Sequence, residues 1–228
     1  MTTPRYFTAD YVERATLRNG TPVLLRLVVP EDKELLREGF EKWSNESRYA
    51  RFHAAKTKLT DEELKYLCEV DQETHFALGA LREAGDGDGD AVGLGIARFI
   101  RLEQKPGDPV TAEAAISVAD EARGQGLGRL LFMRLVAAAA ERGIERFRCE
   151  VLGTNESMKH LVDAVAPEHT TDVEAGVMSI DFAVPAMQPD AATAEAPQDG
   201  MYSFFRAVAE GVVQLLRPFR NQGDTKSE

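Results

Sequence analysis

Three alternating glycines, Gly124, Gly126 and Gly128, have the clearest capacity for chemistry in this chain; they lie in the stretch SVADEARGQGLGRLLFMRL. They stand between an apolar alternating segment and an unbroken run of helix formers, and so occupy the turn at the mouth of a helix. A glycine gives up about 0.5–1 kcal/mol of conformational freedom relative to alanine, and a helix could have begun there without any. The first N–H groups of a helix have no partner in its ladder, and its dipole favours an anion. Removing side chains from that turn therefore lets a phosphate approach the main chain. Close packing of strand on helix is the other use of such glycines, and an isolated G-x-G-x-G leaves both open. A Walker A loop is excluded, because Gly128 is followed by Arg129 and Leu130 where Lys and Ser or Thr are needed. A dinucleotide fingerprint is excluded too, since the spacing is one residue short and the unit comes fifth among the strands.

The elements that must position this turn follow from the hydrophobic pattern. YVERATLRNGTPVLLRLVV alternates on both sides of Asn19-Gly20, the signature of a hairpin. Pro30-Glu31-Asp32 opens a helix with the apolar stripe Leu35, Leu36, Phe40 and Trp43. A second helix begins at Thr60, where Thr60 and Glu63 have capping-box spacing and Leu59 and Leu64 staple spacing. THFALGALRE and AVGLGIARFIRL are strands joined by AGDGDGD, and VTAEAAISVAD is the strand that enters the glycine turn. Gly143 stops the following helix, IERFRCEVL is a strand, TNESMKHLVDAV a short helix and AGVMSIDFAVP a closing strand. The order β-β-α-α-β-β-β-α-β-α-β predicts an α/β (α+β) fold with a mixed, mostly antiparallel sheet, parallel only around residues 111–151. Residues 1–185 are expected to form one domain. An Ala/Pro/Asp-rich linker over 186–199, an amphipathic helix over 200–218 and a disordered tail over 219–228 follow it.

Composition excludes several classes of function. The 228 residues carry a formal net charge of −11, which disfavours nucleic acid bound through its phosphates and suits cationic partners such as amines or lysine-rich segments. Cys68 and Cys149 have no metal or disulfide spacing, which points to a reducing cytoplasm. No apolar run approaches the roughly 18–20 residues of a membrane span. Asp86, Asp88 and Asp90 are spaced like the start of a calcium loop, but Ala91 and Ala97 stand where glycine and glutamate are required. His53, His75, His160 and His169 have no ligand spacing, so no metal is expected. RYARF at 48–52 packs locally or shapes an acceptor cleft. The C-terminal helix is expected to dock on its own domain or to pair with a second copy as a homodimer.

Arg123, Gly126 and Gly128 together form Arg-x-x-Gly-x-Gly, and this resembles the acyl-CoA pyrophosphate loop of the GNAT N-acetyltransferase superfamily. The context is similar as well: AISVADEARGQGLGRLLFMRLVAAAAERGIERFRCEVLGTNESM looks like the superfamily's core strand, loop, helix and strand. LRLVVPEDKELLREGFEKWSNESRYARF, followed by LTDEEL, resembles the GNAT domains of bacterial protein lysine acetyltransferases. The likeness covers about residues 10–185 and is strongest over 111–158. It implies a GNAT fold with a splayed central parallel strand pair, acetyl-CoA as cosubstrate, and transfer of acetyl to an amine by direct attack. On the same resemblance, main-chain groups of Gly124, Gln125, Gly126, Leu127 and Gly128 hold the diphosphate, and Arg123 adds charge. Ile116 and Val118 pair with the pantetheine arm along a bulged strand. The Val118 N–H aims at the oxyanion, and Asn155 contacts the cofactor arm besides capping its helix.

Glu113, in TAEAAISV, matches the position that carries the general base in the resembled protein acetyltransferases. A lysine amine, with a pKa of about 10.4, must lose a proton before it attacks, and a nearby carboxylate can take it. Among Ala112, Ala114 and Ala115 that carboxylate is expected in a partly desolvated pocket. The helix after Asn155 lacks the tyrosine that protonates the leaving thiolate in many GNAT enzymes, which leaves water for that task. A protein lysine is the leading acceptor. A small-molecule amine remains open, as does a catalytically silent acyl-CoA-binding regulatory module.

Overall fold

A computed structural model describes residues 5–52, 56–82 and 91–185. The expected linker, C-terminal helix and tail lie outside the described residues, as do Asp86, Asp88, Asp90 and His53.

The chain opens with the hairpin of β1 (Val12–Thr16) and β2 (Pro22–Leu27), in register from Val12↔Arg26 to Thr16↔Pro22. Its loop is wider than a two-residue Asn-Gly turn. Leu17 N–H bonds to Thr21 O, and among the loop residues only Gly20 is left-handed, with φ +86°. The Asn19 side chain accepts from Thr21 N–H instead of adopting positive φ itself. A three-residue loop ending in a left-handed position is the next commonest hairpin closure.

Three helices follow, α1 (Lys33–Glu41), α2 (Asn45–Phe52) and α3 (Asp61–Cys68). The capping box at Thr60 and Glu63 is present, and Leu59 and Leu64 are buried together with Phe40. The sequence pattern predicts no helix at α2, most of whose residues are polar. It is nucleated at Ser44, where the hydroxyl accepts from Ser47 N–H and the carbonyl from Arg48 N–H.

The rest comprises β3 (His75–Arg82), β4 (Val92–Arg101), β5 (Thr111–Val118), α4 (Leu127–Glu141), β6 (Arg146–Leu152), α5 (Glu156–Val165), β7 (His169–Glu174) and β8 (Val177–Ala183). Among the described residues the strands form one sheet in the order β1-β2-β3-β4-β5-β6-β8-β7, antiparallel except between β5 and β6. This is the mixed, mostly antiparallel α/β sheet that the sequence predicts. Strand β7 was not expected. It is a largely exposed edge strand, and its turn to β8 puts Ala175 and Gly176 at φ +50° and +85°. Alanine rarely takes that conformation, so no turn signal marks it.

Helix α4 lies under β3, β4 and β5, and buries Leu127, Leu131, Phe132 and Leu135 against Phe76, Phe99 and Phe147. Gly95 permits this approach: a Cβ there would stand 2.9 Å from Leu131 Cδ1 and 3.1 Å from Ser117 O. The opposite sheet face is covered by α1 and α3 around Val28, Cys68 and Ala77. Both cysteines are free and buried, and burial pushes the Cys149 thiol up to about 12.

Candidate active site

The sheet opens between β5 and β6. Along its other edge β5 pairs with β4 continuously, from Gly95↔Val118 to Arg101↔Ala112. Towards β6 it pairs only at Thr111↔Arg146, Ala112↔Phe147 and Glu113↔Arg148, while β6 stays paired with β8 to Leu152. Residues 114–118 and 149–152 therefore face each other across a gap. The bulge expected on β5 is one strand pair away, at Ala80/Leu81 opposite Gly93 and Gly95, where Leu94 is the extra residue. The gap arises from lost pairing, not from an inserted residue in β5.

Main-chain direction along β5 follows from its outer bonds. Leu102 N–H reaches Thr111 O and Ala119 N–H reaches Leu94 O on the β4 side, while Glu145 and Arg146 N–H reach Val110 O on the β6 side. Alternation then turns the main-chain groups of Ala114, Ile116 and Val118 into the gap, without a strand partner there.

Glu113 stands on the last paired rung before the opening, with Ile100 and Arg148 as its neighbours in β4 and β6. Its side chain is exposed, not sunk in the expected alanine pocket. Strand alternation is the reason: Ala112 and Ala114 point into the core beneath, and only Ala115 shares the face of Glu113. Arg148 is held beside it by Asp181 at 3.1 Å. On the same face, under α1, lies a small apolar cleft lined in part by Leu36, Phe40, Trp43, Gly79, Gly93 and Ile96. Ile96 is the β4 neighbour of Ser117.

Beyond β5 the chain makes a 3-10 turn at Asp120–Ala122, runs extended through Arg123, and turns at Gly124 and Gly126 with φ +71° and +91°. Gly126 is the N-cap of α4; no side chain caps it, and the first turn holds no acidic residue. The ladder begins with Leu130 N–H to Gly126 O, so the N–H groups of Leu127, Gly128 and Arg129 precede it without a helical acceptor. Gln125 completes the turn. Gly128 has an ordinary helical backbone, and a Cβ there would meet Val118 Cγ2 at a comfortable 3.7 Å. Conformation thus requires two of the three glycines. The uncapped donors and the positive helix end form a cradle suited to a diphosphate.

The Arg123 guanidinium points sideways. It donates to Ser47 Oγ at 2.8 Å and lies 3.2 Å from Asp120 Oδ1. Asp120 in turn accepts from Ser44 N–H and Ser47 Oγ. Burial pushes its carboxyl up, but those hydrogen bonds outweigh burial and hold it below the ordinary carboxylate range. The network ties the end of β5 to α2. No local spacing in the sequence announces it, because Ser44 and Ser47 are more than 70 residues from their partners.

Asn155 caps α5, its Oδ1 accepting from Met158 N–H at 3.0 Å, which leaves the Nδ2 donors for another partner. Because β5 and β6 are parallel, Asn155 after β6 and the glycine turn after β5 lie at the same end of the sheet. Among the described residues no group of three or more His, Cys, Asp or Glu could hold a metal ion, and no helix is long and apolar enough to cross a membrane.

Comparison with known proteins agrees with this geometry. The profile of the Acetyltransferase (GNAT) family matches residues 33–164. Acetyltransferase Pat of Mycolicibacterium smegmatis is 31% identical over 169 residues, covering 74% of this chain; the chain spans 48% of that relative's length. The crystal structure of the GNAT domain of S. lividans PAT superposes with a TM-score of 0.66 at 28% identity, covering 78% of this chain and 99% of that one. An acetyltransferase structure from Salmonella typhimurium with its cofactor acetyl-CoA shares the fold, with a TM-score of 0.56 at 20% identity over 75% of this chain and 99% of that one.

Proposed function

Because the chain belongs to the GNAT acetyltransferase family, we propose that this acyltransferase moves an acetyl group from acetyl-CoA to a primary amine, with a protein lysine as the favoured acceptor. One observation carries the reading. The uncapped, glycine-opened start of α4 lies at the open end of a strand pair that stops after three rungs, and Glu113 is the last of them.

In this reading the main-chain donors of Gly124, Gln125, Gly126, Leu127 and Gly128 hold the diphosphate. The unpaired groups of Ile116 and Val118 bind the pantetheine arm as an added strand would, and the Asn155 amide donates to the same arm. An ammonium group arriving at Glu113 passes its proton to the carboxylate, directly or through one water. The freed amine attacks the thioester carbon, the N–C bond forms and the C–S bond breaks. The Val118 N–H steadies the charge gathering on the carbonyl oxygen, and water relays to the departing thiolate the second proton, which the nitrogen sheds as the amide forms. A net charge of −11 supports a cationic acceptor, as does the likeness to Pat. The two free, buried cysteines support a reducing, cytoplasmic setting.

The apolar cleft beside Ser117 favours a second reading, in which the acceptor is a small amine with an apolar body. A panel of lysine peptides and small amines, assayed for CoA release, separates the two. Glu113→Gln is the decisive variant. Acetyl-CoA affinity by calorimetry should hold within about twofold while kcat falls at least about 100-fold, the range of a lost general base. Unchanged turnover would remove Glu113 from this role. Binding with no CoA release from any acceptor would identify a regulatory module instead.

A further inference from the structure

The hairpin loop between β1 and β2 stands against the glycine turn. Arg18 N–H donates to Gln125 O at 3.1 Å. Its side chain lies along the turn, for a Cβ built on Gly126 would be 3.7 Å from Arg18 Nε and 3.9 Å from its Cγ. The guanidinium thus flanks the residue whose left-handed backbone opens the start of α4. Arg18 is exposed, and among the described residues no carboxylate is paired with it. Arg123, the charge singled out from the sequence, is by contrast engaged with Ser47 and Asp120. Acidic residues outnumber basic ones 38 to 27 in this chain. A guanidinium left without a carboxylate beside uncapped main-chain donors is therefore a second source of anion affinity, separate from the helix end.

We infer that Arg18 is a binding residue of the coenzyme site: its guanidinium pairs with phosphate oxygens of acetyl-CoA from the hairpin side of the turn. The inference rests on the acetyl-CoA reading above. A guanidinium offers several donors in a rigid fork matched to phosphate geometry, which an ammonium does not. The diphosphate and the ribose 3′-phosphate share this chemistry. The main-chain bond to Gln125 does not involve the side chain, so Arg18→Gln keeps the hairpin docked.

The test is calorimetric titration of the full chain with acetyl-CoA and with acetyl-dephospho-CoA, for the parent, Arg18→Gln and Arg18→Lys, alongside melting curves of each protein without ligand. Arg18→Gln should weaken acetyl-CoA at least about tenfold at an unchanged melting temperature, the size expected for a lost charge-assisted contact, with Arg18→Lys recovering part of it. Loss on both ligands assigns the pairing to the diphosphate, and loss on acetyl-CoA alone assigns it to the 3′-phosphate. Parent-like affinity in Arg18→Gln overturns the inference and leaves the acetyl-CoA reading standing. A loss matched by an equally destabilised protein overturns it as well. No heat with the parent removes the reading itself, and the inference with it.

Discussion

Helix α4 has two ends built on opposite plans. At the C-terminal end the carbonyls of Ala138, Ala139 and Ala140 all have partners. The Arg142 guanidinium donates to Ala138 O, Gln72 O and Phe7 O and stacks over Phe76 at 4.4 Å. Glu141 accepts from the N–H groups of Tyr6 and Phe7, while Gly143 and Ile144 N–H close back on the last turn. Burial pushes the Glu141 carboxyl up even so. Gln72, left-handed at φ +59°, is clamped there by Val28 O and Ala77 N–H through its amide. The N-terminal end has no cap, no carboxylate and two left-handed glycines. One end is filled by the chain's own groups, and the other is the end that the proposed function gives to the coenzyme. The same backbone need is answered by protein at one end and left unanswered at the proposed diphosphate site.

The sharpest way to break this contrast is to empty the filled end. Arg142→Ala strands two buried carbonyls, a half-buried one and a ring face, and should cost about 3 kcal/mol of stability by urea titration. Acetyl-CoA affinity, extrapolated to the folded protein, should stay unchanged; a matching loss of affinity would show that the two ends are not separable. At the open end the expected effect is smaller. Gly126→Ala forces an L-residue to φ +91°, a strain of about 1–2 kcal/mol, and should raise the Kd for acetyl-CoA roughly tenfold. Gly128→Ala meets only ordinary contact and should bind like the parent. Equal behaviour of the two variants would mean that backbone conformation is not what shapes the cradle.

A third expected effect is the acid sensitivity of the filled end. His75, which follows the Gln72 turn, is held down to about 4 by burial and then by the Arg98 guanidinium. An unfolded histidine titrates near about 6.5, so between these values the unfolded chain binds more protons. Stability should therefore fall as pH drops through that window and level off for this group below it. Asp71 adds a later loss. Burial raises its carboxyl, but hydrogen bonds from Thr74, His75 and Glu73 lower it to about 2, so its contribution disappears between about 4 and about 2. Melting temperatures measured from pH 7 to 4.5 should decline, and less steeply in His75→Gln. Identical slopes would exclude His75 as the group responsible.

Much of this architecture is readable along the chain because it rests on local chemistry. The Thr60 and Glu63 side chains cap α3 by accepting from each other's backbone N–H, Gly143 ends α4, and alternation marks most strands. Residue types alone mark the glycine turn, which leaves close packing and an anion cradle both open, and the resemblance of Arg-x-x-Gly-x-Gly to the GNAT loop favours the cradle. The largely polar α2 and the edge strand β7 escaped, since α2 has few apolar residues, β7 is exposed along most of its length and Ala175 gives no turn signal. Glu113 lies on the strand where its spacing puts it, yet the neighbours assumed to bury it, Ala112 and Ala114, face the other way.

Local pattern was enough to establish the order of every element except α2 and β7, the turn that opens α4 and the carboxylate on β5, since each depends on contacts within a few residues. Packing alone decided where β5 and β6 part, that Arg123 is spent on Ser47 and Asp120, and that Arg18 arrives beside Gly126. Those outcomes depend on pairs far apart in the chain, whose meeting is set by sheet order and by how closely α4 can approach β4 at Gly95.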